Sequence, residues 1–180
     1  MSAVADGSRK RRPATRERRP RFRSRPRASD LPALRRLVAA TQVFYPEERS
    51  IAAELLEERL RLGANSGYSF FFADYAAELI GYCAWGLVPL TRSSYDLYWI
   101  AVAPDWEGSG IGQKLLVLTE QAVARRGGGG LYIETSSRDI YDRTRRFYRR
   151  AGYRQVARLA NFYAPDDHKI VFCKTIPNPR

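Results

Sequence analysis

A chain of 180 residues with 44% apolar content is one domain's worth, long enough to bury a core without disulfides or a metal. Its formal charge of +12 is unevenly spread, because residues 1–19 hold seven Lys or Arg against only Asp6 and Glu17. No apolar run approaches the ~20 residues of a membrane span and no secretory apolar segment opens the chain, so a cytoplasmic protein without membrane contact is expected.

In chain order, residues 1–19 form the first unit. Rich in Arg, Pro and Ser and without an aromatic, this stretch cannot bury enough surface to offset the entropy of ordering and reads as a disordered basic tail. It suits weak contact with nucleic acid or an acidic partner through counterion release, or serves only as a solubilising extension. The folded domain is expected from residue 20 to 180. A short strand around Phe22 precedes Ser29 and Asp30, which read as the N-cap of a helix carrying Leu31, Leu34, Leu37 and Val38. A second helix is expected from Pro46 through Ile51, Leu55 and Leu62 to Gly63. Residues 68–73 and 79–87 read as a β-hairpin.

The run 97–102 reads as a buried strand stopped by Pro104, and a glycine-rich turn then feeds a helix with apolar residues at Ile111, Leu115, Leu118 and Ala122. Residues 131–134 make a short strand. Ile140, Thr144, Phe147 and Ala151 mark one face of a fourth helix that Gly152 ends, and 153–162 and 169–176 finish as a strand pair. Cys83 and Cys173 fall inside strand-like runs and read as reduced, buried thiols, while His168 has no cluster of ligands around it, so no metal is expected.

The strand, glycine loop and helix carry the chemistry. Gly108, Gly110 and Gly112 let backbone approach a phosphate at a helix N-terminus, where free N–H groups and the helix dipole favour an anion; the same glycines also suit a merely tight connection. A P-loop is excluded, because Gln113 and Lys114 follow Gly112 with no hydroxyl for magnesium. A Rossmann turn fits poorly, since Gln113 stands in place of its third glycine.

The segment Glu107-x-x-Gly110-x-Gly112, after a strand ending Ala-Val-Ala-Pro, resembles the acyl-CoA-binding motif of the GCN5-related N-acetyltransferases (GNAT), with Glu107 where that family has Gln or Arg. The order of elements over residues 20–180 is similar to the whole fold of that family. The resemblance implies an α/β (α+β) domain: a mixed, mostly antiparallel central sheet flanked by helices, the first two helices forming part of the acceptor wall. It implies an acetyl-CoA-dependent N-acetyltransferase, acting on a primary amine of a small molecule or amino acid by direct attack in a ternary complex, as a monomer or homodimer. The alternatives are a protein or peptide N-acetyltransferase and a non-catalytic coenzyme A- or nucleic-acid-binding module.

The same resemblance assigns roles. Backbone along Ile100, Ala101 and Val102 would take the pantetheine arm, and the loop residues Glu107, Gly108, Ser109, Gly110, Ile111, Gly112 and Gln113 the diphosphate, with Tyr141 at a further coenzyme position where relatives have Asn. Tyr148, in Phe147-Tyr148-x-x-x-Gly152-Tyr153, matches the family's thiolate-protonating tyrosine. A phenol of pKa ~10 is protonated at neutral pH, as that role requires. Phe147 is expected on the core stripe and Tyr148 about 100° from it, although a packed aromatic is the plain alternative. Asp96 stands where relatives carry a general base, with a solvated strand-end carboxylate as the alternative, and Glu134 across the expected cleft is the competing base. Tyr95, Tyr98, Trp99, Tyr132, Tyr141 and Tyr163 are expected to line the acceptor side, with the 161–168 turn as its lid.

Overall fold

A computed structural model describes residues 19–41 and 46–179; the basic tail falls almost wholly outside them. Seven strands make one sheet: β1 (Arg21–Arg23), β2 (Tyr68–Tyr75), β3 (Glu78–Leu87), β4 (Ser94–Val102), β5 (Gly129–Ser136), β6 (Arg154–Ala164) and β7 (Asp167–Ile176). Their order is β1-β2-β3-β4-β5-β7-β6. Every neighbouring pair is antiparallel except β4 and β5, whose parallel pairing requires a crossover. That crossover is α3 (Ile111–Arg125). The remaining helices are α1 (Asp30–Ala40), α2 (Pro46–Leu62) and α4 (Asp142–Arg150). The expected order of strands and helices is therefore present.

β2 and β3 are buried on both faces, which is why they read as continuous apolar runs. Successive residues of β2 supply opposite cores: Phe70 and Phe72 meet Leu34, Val38, Ala52 and Leu56 of α1 and α2, whereas Phe71 and Ala73 belong with Leu115, Leu116 and Val123 of α3. Both cysteines are free. Cys83 is fully buried beside the Thr119 hydroxyl at 3.4 Å, and burial pushes its thiol up to about 12.

Several local expectations change. Ser29 has helical backbone angles and makes no capping bond; instead the Asp30 carboxylate accepts the Arg27 N–H at 2.7 Å and two bonds from Arg23, which also holds Asp74 of β2. A buried charge paired in this way fixes the start of α1 to the β1–β2 edge. On α2 the buried positions are Ala52, Ala53 and Leu56, while Ile51 and Leu62 are exposed, because the large residues had set the predicted stripe one step off the face that packs. On α3, Leu116 and Thr119 are buried where Leu118 was expected, and Leu118 only packs against the core's margin. The hairpin turn is Ala76-Ala77, both at positive φ, so the strands run further than their predicted ends.

The largest difference is in β4, which is not a fully buried strand. Trp85 pairs with Leu97 but Ala84 pairs with Trp99, leaving Tyr98 as an extra residue in a β-bulge. A bulge bends its strand. Beyond it the partnership with β5 is gone: β4 pairs with β3 as far as Val102, but with β5 only at Ser94, Tyr95 and Asp96. The two parallel strands separate and a cleft opens between them.

Candidate active site

The cleft has a volume of about 920 Å3. Its wall includes Leu97, Tyr98, Trp99, Ile100, Ala101 and Val102 along β4, and Ile133, Glu134, Thr135 and Ser136 along β5. Thr41, beyond α1, and Ile51 of α2 close one side, which agrees with those helices walling the site. The main-chain groups of β4 past Asp96 have no strand on the cleft side, so they are open to an extended polar ligand that could continue the ladder.

At one end lies the glycine loop. Gly108 (φ 75°) and Gly110 (φ 88°) occupy the left-handed region that a side chain disfavours, and they let the chain turn from a short 3-10 turn at Pro104–Trp106 directly into α3. The first helical bond is from the Lys114 N–H to the Gly110 carbonyl at 2.9 Å, so the N–H groups of Ile111, Gly112 and Gln113 have no intrahelical acceptor. All three residues line the cleft. Ser109 differs from expectation: its N–H and its hydroxyl both donate to the Trp106 carbonyl, at 3.2 and 2.5 Å, and it is not on the cleft wall. The Glu107 N–H is likewise spent on Pro104, leaving its carboxylate as the group it presents, and that carboxylate pairs with Arg143 of α4.

Tyr148 lies midway, on the cleft wall yet only 3% exposed, with ring centroids 5.3 Å from Phe147, 6.1 Å from Tyr153 and 5.9 Å from Phe172. The expected roles of the two faces are reversed. Tyr148 is the buried residue of α4, and Phe147 is the partly buried neighbour on the cleft, because α4 lies against β7 through Phe172 rather than along the 140–144–147 stripe; Ile140 is half exposed. Burial, with a smaller contribution from Cys83, raises the Tyr148 pKa, so the phenol stays protonated. Tyr141 is on the cleft wall too, but in a 3-10 turn before α4. Arg145 fixes this junction, donating to the Ser136 and Arg138 carbonyls at 2.8 Å each.

The far end holds charged side chains. Asp96 is half-buried and off the cleft wall, whereas Glu134 is on it. Burial raises the Asp96 pKa, the nearby Glu134 adds to the rise, and Lys169 opposes it. Glu134 pairs with Lys169 at 2.6 Å, so the two competing carboxylates share one field instead of facing each other across the cleft. Lys169 also sits 3.7 Å from the Phe162 ring centroid. Of the predicted aromatic lining, Tyr98, Trp99, Tyr141 and Tyr163 are on the wall; Tyr95 is instead in the core beside Trp85, and Tyr132 is not on the wall. The expected 161–168 turn is shorter, since β6 runs to Ala164 and β7 starts at Asp167, and this hairpin end is braced by the Asn161 N–H on His168 Nδ1 (2.8 Å) and the Asp166 N–H on Asn161 (3.0 Å).

Sequence reasoning missed Lys169, Arg143 and the Ser136–Asp167 bond (2.5 Å), in which the buried Asp167 also faces Arg138. Strand pairing brings Lys169 and Asp167 beside Glu134 and Ser136, whereas Arg143 reaches the cleft wall from α4. Among the described residues there is no cluster of His, Cys, Asp and Glu able to hold a metal, and no helix long and apolar enough to cross a membrane.

Comparison with known proteins agrees with this architecture. Residues 66–155 match the family described as an acetyltransferase (GNAT) domain. A GNAT-family crystal structure from Desulfovibrio desulfuricans is 42% identical, with a TM-score of 0.86 over 88% of this chain and 99% of that one. An aminoglycoside 6'-N-acetyltransferase complexed with coenzyme A is 25% identical, with a TM-score of 0.71 over 88% and 99% of the two chains. A mycothiol acetyltransferase from Streptomyces bingchenggensis is 28% identical over 89 residues, 49% of this chain and 29% of that longer protein, so the match spans less than a third of that relative.

Proposed function

Because the chain belongs to the GNAT acetyltransferase family, we propose that it moves an acetyl group from acetyl-CoA to a primary amine of a small molecule or amino acid, with both substrates bound at once. The observation that carries this reading is the separation of β4 from β5 next to the free N–H groups of α3. A donor with an anionic diphosphate and an amide-bearing arm fits that pairing of features, the first on the helix N-terminus and the second along the open edge of β4.

The reaction asks three things of this chain. Main-chain N–H groups near Val102 would polarise the thioester oxygen. Tyr148, protonated and enclosed, gives its hydroxyl proton to the departing thiolate. A carboxylate takes the proton of the incoming ammonium, and here Asp96 and Glu134 are the candidates. Glu134 has the better access because it lies on the cleft wall, where it pairs with Lys169. Burial raises the Asp96 pKa, and because Asp96 is off the cleft wall it would act through a water.

The deciding experiment is a screen of primary amines with acetyl-CoA, following thiol release and product mass together. Acetylated product from at least one amine is expected. Tight coenzyme A binding without thiol release from any amine or peptide would leave only a binding module.

A further inference from the structure

We propose that Arg143, reaching across from α4, clamps the diphosphate of the acyl donor over the start of α3 and offsets the negative charge of Glu107 there; this rests on the donor reading above. Glu107 opens the glycine loop and its carboxylate is on the cleft wall with Gly108 and Gly110. A lone carboxylate there would repel the anion that the free N–H groups attract. Arg143 is on the same wall and pairs with it from 36 residues away in the chain.

The pair is poorly explained as a brace for the fold. Its side chains are 65% and 42% exposed, and exposed ion pairs contribute little to stability. The neighbouring arginines are committed elsewhere: Arg145 holds the β5 end, and Arg146 pairs with Asp142 one turn back. Among the described residues, Arg143 has Glu107 as its one ionic partner, and a carboxylate cannot occupy all five donors of a guanidinium. The remaining donors suit a phosphate, in the bidentate geometry that arginine favours and lysine lacks. Glu107 thus holds the cation at the loop while the site is empty, and the guanidinium can then bridge carboxylate and diphosphate.

Titrating coenzyme A by calorimetry into wild type, Arg143→Gln, Arg143→Lys and Glu107→Gln at low salt tests this, with the melting temperature of each free protein measured alongside. Arg143→Gln should weaken binding about tenfold or more, Arg143→Lys should recover part of that loss, and Glu107→Gln should bind at least as tightly as wild type. Melting temperatures should barely differ. Equal weakening by Arg143→Gln and Glu107→Gln would mark a purely structural pair and overturn the proposal, as would unchanged affinity in Arg143→Gln. Wild-type protein that binds no coenzyme A would overturn the donor reading itself.

Discussion

At the α3 end of the cleft main-chain N–H donors, set by where a helix starts and which residues have no Cβ, face inward beside the Glu107–Arg143 pair. At the β7 end the inward-facing groups are the side chains of Glu134 and Asp167, with Lys169 paired to Glu134 behind them, delivered by two strands that lie more than thirty residues apart in sequence and meet only in the sheet. The first kind of site tolerates substitution of most side chains. The second can be rewritten by single changes without disturbing the fold, which suits the part of an enzyme that selects its acceptor.

Tyr148, between the two ends, should give the largest effect. Tyr148→Phe keeps the ring against Phe147, Tyr153 and Phe172 but removes the proton, so kcat is expected to fall by about 10²-fold or more with little change in acetyl-CoA affinity. An unchanged kcat, with chemistry rate-limiting, would make this residue a packed aromatic.

A side chain at Gly112 should break the donor end alone. That glycine is not at positive φ, and a Cβ there would meet Val102 and Phe147 at ordinary distances of 3.7 and 3.8 Å, so Gly112→Val should fold while its branches fill the approach to the free N–H groups. Gly110, at φ 88°, is a poorer probe because substitution there strains the loop as well. Wild type should gain about 2.7 kcal/mol of stability at acetyl-CoA 100-fold above Kd, and the variant almost none. A full melting-temperature shift in the variant would remove diphosphate binding from this loop.

The acceptor end is sharpened by pH. The folded-state pKa of Asp96 is raised above the ordinary carboxylate value, so the ionised form costs stability at neutral pH. Asp96→Asn should therefore be the more stable protein at pH 7; the difference should shrink as pH falls through the raised pKa and vanish below the ordinary value near ~3.9. Urea unfolding at a series of pH values reads this directly, and a variant less stable than wild type at pH 7 would contradict it. In rate profiles, only the variant lacking the true base, Asp96→Asn or Glu134→Gln, should lose the acidic limb.

The smallest effect is expected from the tail. We propose that residues 1–19 lie outside the domain, since β1 begins at Arg21 and is already paired with Asp74, Ala73 and Phe72. Their removal should leave acetyl transfer unchanged while any retention on nucleic acid weakens and loses much of its salt dependence. Loss of activity in a folded truncation would move the boundary.

The chain by itself determined the donor end and the order of the elements, because both are written in neighbouring residues. Gly108, Gly110 and Gly112 mark the turn, Pro104 stops the strand, and the apolar runs around 70 and 82 announce strands buried on both faces. Local chemistry of this kind survives any uncertainty about packing. Only the tertiary structure decided the rest. Whether Tyr148 or Phe147 is the buried ring depends on α4 meeting Phe172, and no helical period reveals which neighbour a helix will have. The bulge at Tyr98 appears only when β3 is paired residue by residue with β4, yet it is what parts β4 from β5 and opens the cleft. The charges that act on Asp96 are Glu134 and Lys169, and the one paired with Glu107 is Arg143, and charges that distant in sequence become neighbours only once the chain has folded.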